Sequence, residues 1–431
     1  MQPPRRDLNL RQLGHKTSLP PTPLPRVARW RGSPIAQGAA QRRPSTWGRA
    51  AATGPAGQPD KTGKLVLSSF DWFRDPSPCQ RTSETERSMQ ELPTLQPAMT
   101  PALEPEEIRA LSEEVRALAA ERNAVILAHN YQLPEVQDVA DHMGDSLGLS
   151  RQAAATGADA IAFCGVHFMA ETAAILSPEK TVLIPDLDAG CSLADSIDAD
   201  QLRAWKAEHP GALVVMYVNT SAEVKAETDY CCTSSNAVKV VEHIWAEHGP
   251  GTEILFGPDM WLGAFVERET GLHEDPERRA RFHIWDGECH VHAGIRPGDI
   301  AQTRAEHPEA EFLIHPECGC ATQAMEYVAA GDIDPEGVHM LSTSGMLRHV
   351  EEHPDGSFVV ATENGMLYPL QQAAPQANLI EANRMAFCKY MKMITLPKLR
   401  DSLREMKFEV SVPAAVAERA KLPIERMVAI G

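Results

Sequence analysis

From about residue 100 onward the chain alternates short apolar runs with longer stretches of helical period. The runs are AVILAHN (124–130), AIAFCGV (160–166), TVLIPD (181–186), ALVVMYVN (212–219), YCCTSS (230–235), EILFGPD (253–259), EFLIHPEC (311–318), VHMLSTS (338–344) and SFVVATENG (357–365). Continuous apolar runs followed by helices are the pattern of parallel strands buried on both faces in βαβ units. Pro105 opens the first helix, with Ile108, Leu111, Val115 and Leu118 on one stripe and Glu104, Glu106 and Glu107 at its start. Proline suits a first helical turn, and acidic side chains there complement the helix dipole.

The nine runs form three sets of three, and the first run of each set turns polar where its strand should stop (AHNY, MYVNT, IHPEC). Recurrence at a period of about 90–100 residues predicts three related α/β units in place of one large sheet. Ligands of open parallel sheets sit beyond the carboxyl ends of the strands, so three converging sets of polar strand ends would make one central site. The expected organisation is an N-terminal extension over 1–99, units over 100–205, 206–300 and 301–388, and a C-terminal helical segment over 389–431 returning to the first unit.

Composition changes the picture at the N-terminus. Residues 1–95 hold 13 of the 33 prolines, and 15 Lys/Arg against 7 Asp/Glu. Such a segment reads as a non-globular extension, as an Arg-rich transit peptide, or as the result of a start assigned upstream of Met89 or Met99. It carries a charge of +8, so the rest of the chain carries −26 of the net −18, which argues against nucleic acid as the main partner. No apolar run approaches the ~18 residues that would cross a bilayer. Nine cysteines without regular short spacing suit metal or catalytic thiols in a reducing, cytoplasmic setting better than a disulfide framework.

Three of those cysteines stand one to a set. Cys191 follows TVLIPD at the expected lip of a helix, Cys289 lies 98 residues later in DGECHVHAG, and Cys388 lies 99 residues after that in MAFCKYMK. Three thiolates would leave one iron of a [4Fe–4S] cluster without a protein ligand, free to act as a Lewis acid. The plain alternative is three unrelated buried thiols. Cys164, Cys231 and Cys232 sit within strand runs and read as core, and Cys318 and Cys320 (HPECGC) read as bystanders beside His315 and Glu317. His290 and His292 next to Cys289 hint at zinc, but no C-x-x-C pair accompanies them. Polar strand-end residues form a second group: His129, Asn130 and Tyr131, then Tyr217 and Asn219, then His315 and Glu317. A His–Tyr–Glu set can move protons on a carbonyl or imine. Hydroxyls before helices (Ser146; Thr233, Ser234 and Ser235; Ser342, Thr343 and Ser344) are N-caps or anion-binding groups. No phosphate-loop or dinucleotide glycine motif is present.

From about Thr100 to Gly431 the chain resembles the quinolinate synthase family. The segments that carry the resemblance include ILAHNYQLPEVQDVADHMGDSLGLSR, FCGVHFMAETAAILSPEKTVLIPDLDAGCSLAD, MYVNTSAEVKAETDYCCTSSNAVKVV, FGPDMWLG, CHVH, HPEC, STSGM and CKYMKMITL. The resemblance implies three αβα domains in pseudo-threefold arrangement around a central active-site cavity. It implies a transferase of NAD biosynthesis that condenses iminosuccinate with dihydroxyacetone phosphate to quinolinate, with a [4Fe–4S] cluster, a functional coupling to L-aspartate oxidase, and neither a nucleic-acid nor a membrane partner. The family's cluster ligands fall on Cys191, Cys289 and Cys388. Its substrate-binding positions fall on His129, Ser146, Tyr217, Val218, Asn219, Ser234, His315, Pro316, Glu317 and Thr343, and its acid–base or cavity-lining positions on Tyr131, Glu317 and His292. Some members carry extra cysteines around the third ligand. Cys388 stands alone in AFCKYMK, so thiol–disulfide switching there is not expected. The segment between GPDMWLG and Cys289 and the first 95 residues fall outside the family's core pattern.

Two other classes share part of this signature. An open-iron hydro-lyase needs the three thiolates but no phosphorylated second substrate, and a metal carrier has no use for Tyr131, Tyr217 and Glu317. A radical enzyme would require a C-x-x-x-C-x-x-C run, which is absent.

Overall fold

The computed structural model describes residues 103–321, 324–325 and 337–430; the proposed extension over 1–99 lies outside them, apart from which every expected strand run is placed. The fold is α/β, with three separate four-stranded sheets. The first contains β1 (Ala124–His129), β2 (His142–Gly144), β3 (Ala160–Cys164) and β4 (Thr181–Leu183) in the order β2-β1-β3-β4. The second contains β5 (Leu213–Tyr217), β6 (Tyr230–Cys232), β7 (Ile254–Gly257) and β8 (Phe282–Ile284) in the order β6-β5-β7-β8. The third contains β9 (Glu311–Ile314), β10 (Val338–Met340), β11 (Ser357–Ala361) and β12 (Asn378–Glu381) in the order β10-β9-β11-β12.

All strand pairs are parallel, and the central pairs hold the same relation in each sheet: Val125 opposite Ile161, Val214 opposite Leu255, and Phe312 opposite Val359. Crossover helices recur in step. Ser146–Ala155, Ala237–His248 and Thr343–Glu352 join the second strand of each sheet to the third, and His167–Leu176, Met260–Glu269 and Leu367–Ala373 join the third to the fourth. One strand order built three times confirms the threefold repeat read from the spacing.

The pattern of apolar runs yielded nine strands; the described residues contain twelve. The three extra ones, β2, β8 and β12, are sheet edges of three or four residues with mostly part-exposed side chains. Their side chains have little apolar surface to cover and leave no continuous apolar run, whereas the edges β4 and β6 are buried and do. The stretch between GPDMWLG and Cys289 holds the second half of helix Met260–Glu269, the short helices Leu272–Glu274 and Pro276–Arg279, and edge strand β8.

The first helix, Pro105–Glu121, buries Leu111, Val115 and Ala119 and packs against helix Leu396–Glu405. The last helix, Ala414–Ile430, lies against β6 and helices Ala222–Lys225 and His167–Leu176. Asn236 and Arg151 both donate to its final carbonyls, at Met427 and Val428, which binds units one and two along a shared helix. The main apolar core runs continuously from the first sheet into the second and part of the third.

Candidate active site

The carboxyl ends of the three sheets face one cavity. His129 is the last residue of β1, Tyr217 the last of β5, and His315 follows the last residue of β9. All three are buried. Polar side chains are affordable at these positions because the strand has ended and its neighbours supply partners. Nδ1 of His129 accepts the Tyr131 backbone N–H at 3.2 Å, and Nδ1 of His315 accepts that of Glu317 at 3.4 Å. The same local turn at two equivalent strand ends thus holds each imidazole with Nδ1 unprotonated. Burial lowers both histidines to about 4, more than the nearby Asp145 and Glu317 raise them, so both rings are neutral at pH 7.

Glu317 lies at the centre of the polar groups. Tyr217 Oη donates to its Oε1, His315 Nδ1 lies 3.6 Å from that oxygen, and His292 Nδ1 lies 3.2 Å from Oε2 without pointing at it. Burial opposes the charge on Glu317, but His315, His292 and the Tyr217 hydroxyl outweigh it and bring the carboxyl down to about 2. Burial likewise opposes a charged His292, while Cys289 and Glu317 push its pKa up. His292 and His315 stack at 4.8 Å with planes 12° apart. On its other side, His292 Nε2 is 3.0 Å from Thr362 Oγ1 and 3.4 Å from Tyr131 Oη, and Tyr131 Oη is 2.6 Å from Thr362. Burial first, and Glu317 second, raise the phenols of Tyr131 and Tyr217 well above 10, so both are neutral. Tyr131, His292, Glu317 and Tyr217 thus stand in one row drawn from all three units, with His292 Nδ1 beside Glu317 but not hydrogen-bonded to it.

Short hydroxyls complete the wall. Ser234 Oγ is 3.2 Å from His315 Nε2, and Thr343, opening helix Thr343–Glu352, accepts from Asn130 Nδ2 at 3.0 Å. Asp145 caps the helix begun by Ser146, accepting from Gly148 N at 2.8 Å, and its other oxygen accepts from Ser235 at 2.6 Å. One carboxylate thus finishes a helix and joins two units. Asn219 lines the cavity with a buried Oδ1 that has no hydrogen-bond partner, an acceptor aimed at whatever occupies the space.

Cys191, Cys289 and Cys388 all line this cavity. They alone among the described cysteines are partly exposed; Cys164, Cys231, Cys232, Cys318 and Cys320 are buried. Burial raises the Cys191 thiol well above 9, and the charges of Cys289 and Cys388 raise it further; Cys388 rises to about 12, from burial and then Cys289. Three partly exposed thiols that open to one cavity suit a cationic metal centre that would stabilise all three thiolates. Cys289, His292 and Glu317 also stand close enough to share an ion. The donor set is therefore compatible with an iron–sulfur cluster. The α-helix expected at Cys191 is absent: Cys191 sits in a turn before a single 3₁₀ turn, Ala194–Ser196, and the α-helix begins at Ala199. The backbone N–H groups of Ala194 and Leu193 do face the sulfur, but burial outweighs them.

The cavity brings together His129, Tyr131, Ser146, Tyr217, Asn219, Ser234, His292, His315, Glu317 and Thr343 with the three cysteines. Val218 and Pro316 do not line it, and the Val218 N–H is committed to the Cys232 carbonyl. Sequence reasoning passed over Thr362 and Glu363. They directly follow β11, whose run closes on the polar TEN, so the strand-end rule applied to the third run of each set would have found them. Glu363 is buried against Lys392 at 3.1 Å, and its Oε1 accepts the Cys388 N–H at 3.0 Å. His290, a zinc candidate from sequence, instead pairs with Ser192 at 2.6 Å beside Cys191.

Comparison with known proteins agrees with this site. Residues 113–429 match the family described as Quinolinate synthetase A protein. The chain is 56% identical over 318 residues to the quinolinate synthase of a Mycobacterium species (strain KMS), covering 74% of this chain and 91% of that one. It is 55% identical to those of Mycobacterium tuberculosis and Mycolicibacterium paratuberculosis, covering 74% of this chain and 88% of each. With three four-stranded parallel sheets, one shared cavity and a match across nearly all the described residues, the chain belongs to the quinolinate synthase family.

Proposed function

We propose that the chain condenses iminosuccinate with dihydroxyacetone phosphate to quinolinate, releasing phosphate and water, and that Cys191, Cys289 and Cys388 hold a [4Fe–4S] cluster. The observation that carries this reading is that one partly exposed thiol from each of the three units opens to one cavity and, among the described residues, no fourth cysteine lines it. When bound, such a cluster supplies an iron without a protein ligand, a Lewis acid for dehydration.

The chain's own residues do the rest. Both substrates are anionic. The helix starts at Ser146 and Thr343 and the turn at Ser234 offer hydroxyls and backbone N–H groups for their carboxylates and phosphate, and Asn219 accepts a donor. Neutral His129 and His315 hydrogen-bond without adding charge. Glu317, held as the anion, accepts a proton from the carbon acid or imine. Tyr131, with a phenol neutral and fixed by Thr362, donates one to a departing oxygen. His292 stands between these two and returns protons from one to the other. An oxidase acting on L-aspartate would supply the imine, and a reducing cytoplasm suits the free thiols.

The full chain, prepared anaerobically, is assayed for quinolinate and phosphate together. Cys289→Ala is expected to lose iron, brown colour and activity. Tyr131→Phe and Glu317→Gln are expected to keep iron and lose about 10²–10⁴ in kcat. A colourless, fully active Cys289→Ala chain overturns the cluster assignment. Turnover that does not require dihydroxyacetone phosphate overturns the reaction in favour of a hydro-lyase.

A further inference from the structure

Two clusters of identical composition lie away from the cavity. In one, His209 Nδ1 and His283 Nε2 each stand 2.8 Å from the same oxygen of Glu253, with the two rings 4.1 Å apart. In the other, His339 Nε2 and His349 Nε2 stand 2.9 and 2.8 Å from one oxygen of Glu311, with rings 4.2 Å apart. Glu253 directly precedes β7 and Glu311 is the first residue of β9, so both clusters sit at the strand starts, while the cavity sits at the strand ends. None of the six residues lines the cavity.

We propose that each cluster is a binding site for a divalent ion of the zinc class, separate from the cysteine site. Within each, the ligand atoms all fall within 4.8 Å of one another. Ligands about 2.0–2.1 Å from a tetrahedral zinc lie about 3.3 Å apart, so an ion enters by parting the nitrogens and the oxygen by roughly half an ångström. Two imidazoles with one carboxylate suit zinc and its neighbours, whereas magnesium and calcium select oxygen donors. The ligands come from regular structure: His283 from β8 and His209 from the end of helix Ala199–Glu208; His339 from β10 and His349 from helix Thr343–Glu352. His349 is further held edge-on against Phe358. Their side chains are 15–38% exposed, which leaves a coordination position open to water. Assembly of the same triad twice, at unrelated positions of two units, is the independent support. The looser contacts of His243 and His248 with Glu247, at 3.3 and 3.8 Å, form no such convergent set. A bound ion would tie a helix to its sheet at the end remote from the cavity.

The test is zinc content of the full chain after equilibration at fixed free Zn²⁺, compared with His283→Ala, His349→Ala and both together. The central thiols take up metal equally in all four, so differences report only the clusters. Each single variant is expected to hold one Zn²⁺ fewer per chain and the double variant two fewer. Glu253→Gln and Glu311→Gln, which keep side-chain shape, are expected to repeat the loss while circular dichroism is unchanged. A variant with the parent's zinc content overturns the proposal for its cluster.

Discussion

Glu363→Gln tests how the third cysteine and the candidate acid–base tyrosine are held. Glu363 is 1% exposed. Its oxygens accept the N–H groups of Cys388 at 3.0 Å and Gly365 at 2.8 Å, and both lie close to Lys392 Nζ, at 3.1 and 3.2 Å. Lys392 in turn donates to the Tyr131 carbonyl. Glutamine has one carbonyl oxygen, so whichever way its amide turns, an NH₂ faces one of the two backbone N–H groups. One hydrogen bond to a charged acceptor is lost, worth about 1.5–3 kcal/mol. The Lys392 ammonium, on a side chain 9% exposed, also loses its counter-charge. Breaking a buried pair costs about 3–5 kcal/mol, and retention of the Tyr131 carbonyl as an acceptor places the expected loss near about 3 kcal/mol. In Glu363→Gln with Lys392→Met, no stranded charge remains, so the double variant should fall short of the sum of the singles by about 2 kcal/mol. Urea denaturation of the four chains measures this cycle. A loss under about 1 kcal/mol for Glu363→Gln, or strict additivity, would refute the reasoning that this pair is an energetic clamp.

Two further predictions follow from the site. His129 and His315 bind a proton in the unfolded chain below about 6.5 but in the folded chain only near 4. The unfolded state thus holds more protons between these values, and stability must fall as pH falls through that window, by up to about 3 kcal/mol per histidine. Urea midpoints at pH 7 and pH 5 should differ less in His129→Asn and His315→Gln than in the parent; an equal difference would sink the assignment. At Gly287, two residues before Cys289, an added Cβ would lie 2.5 Å from both the Pro258 carbonyl and Ser196 Oγ, whereas at Gly298 nothing lies within 4 Å. Gly287→Ala should cost about 1–3 kcal/mol and lower iron retention, and Gly298→Ala should do neither; equal behaviour of the two in denaturation and iron analysis would refute the steric argument.

The α/β class and the threefold repeat were both legible in the chain, and for one physical reason. Strands buried on both faces demand continuous apolar runs, and a polar residue that interrupts such a run at its end is costly unless it has a task. That is why His129, Tyr217, His315 and Glu317 stood out before any coordinates. The edge strands β2, β8 and β12 did not, because their short, mostly part-exposed segments carry no continuous apolar run, unlike the buried edges β4 and β6. Context placed Cys164 inside a strand run, but the partial exposure that sets Cys191, Cys289 and Cys388 apart from Cys318 and Cys320 appears only in the fold. Burial separates them, and burial is set by how three sheets pack. The helix expected at Cys191 failed because proximity to an apolar run says nothing of whether the following turn continues.

What only the tertiary structure decided is the state of the groups it gathers. Glu317 is held as an anion by His292 and by the Tyr217 hydroxyl, 100 residues away, and Tyr131 is fixed by Thr362, 231 residues away. Sequence sets which side chains are present at the strand ends, through the local rule of apolar burial. Their charges and partners depend on distances of a few ångströms between segments a hundred or more residues apart, and those distances exist only once the three units have closed around one cavity.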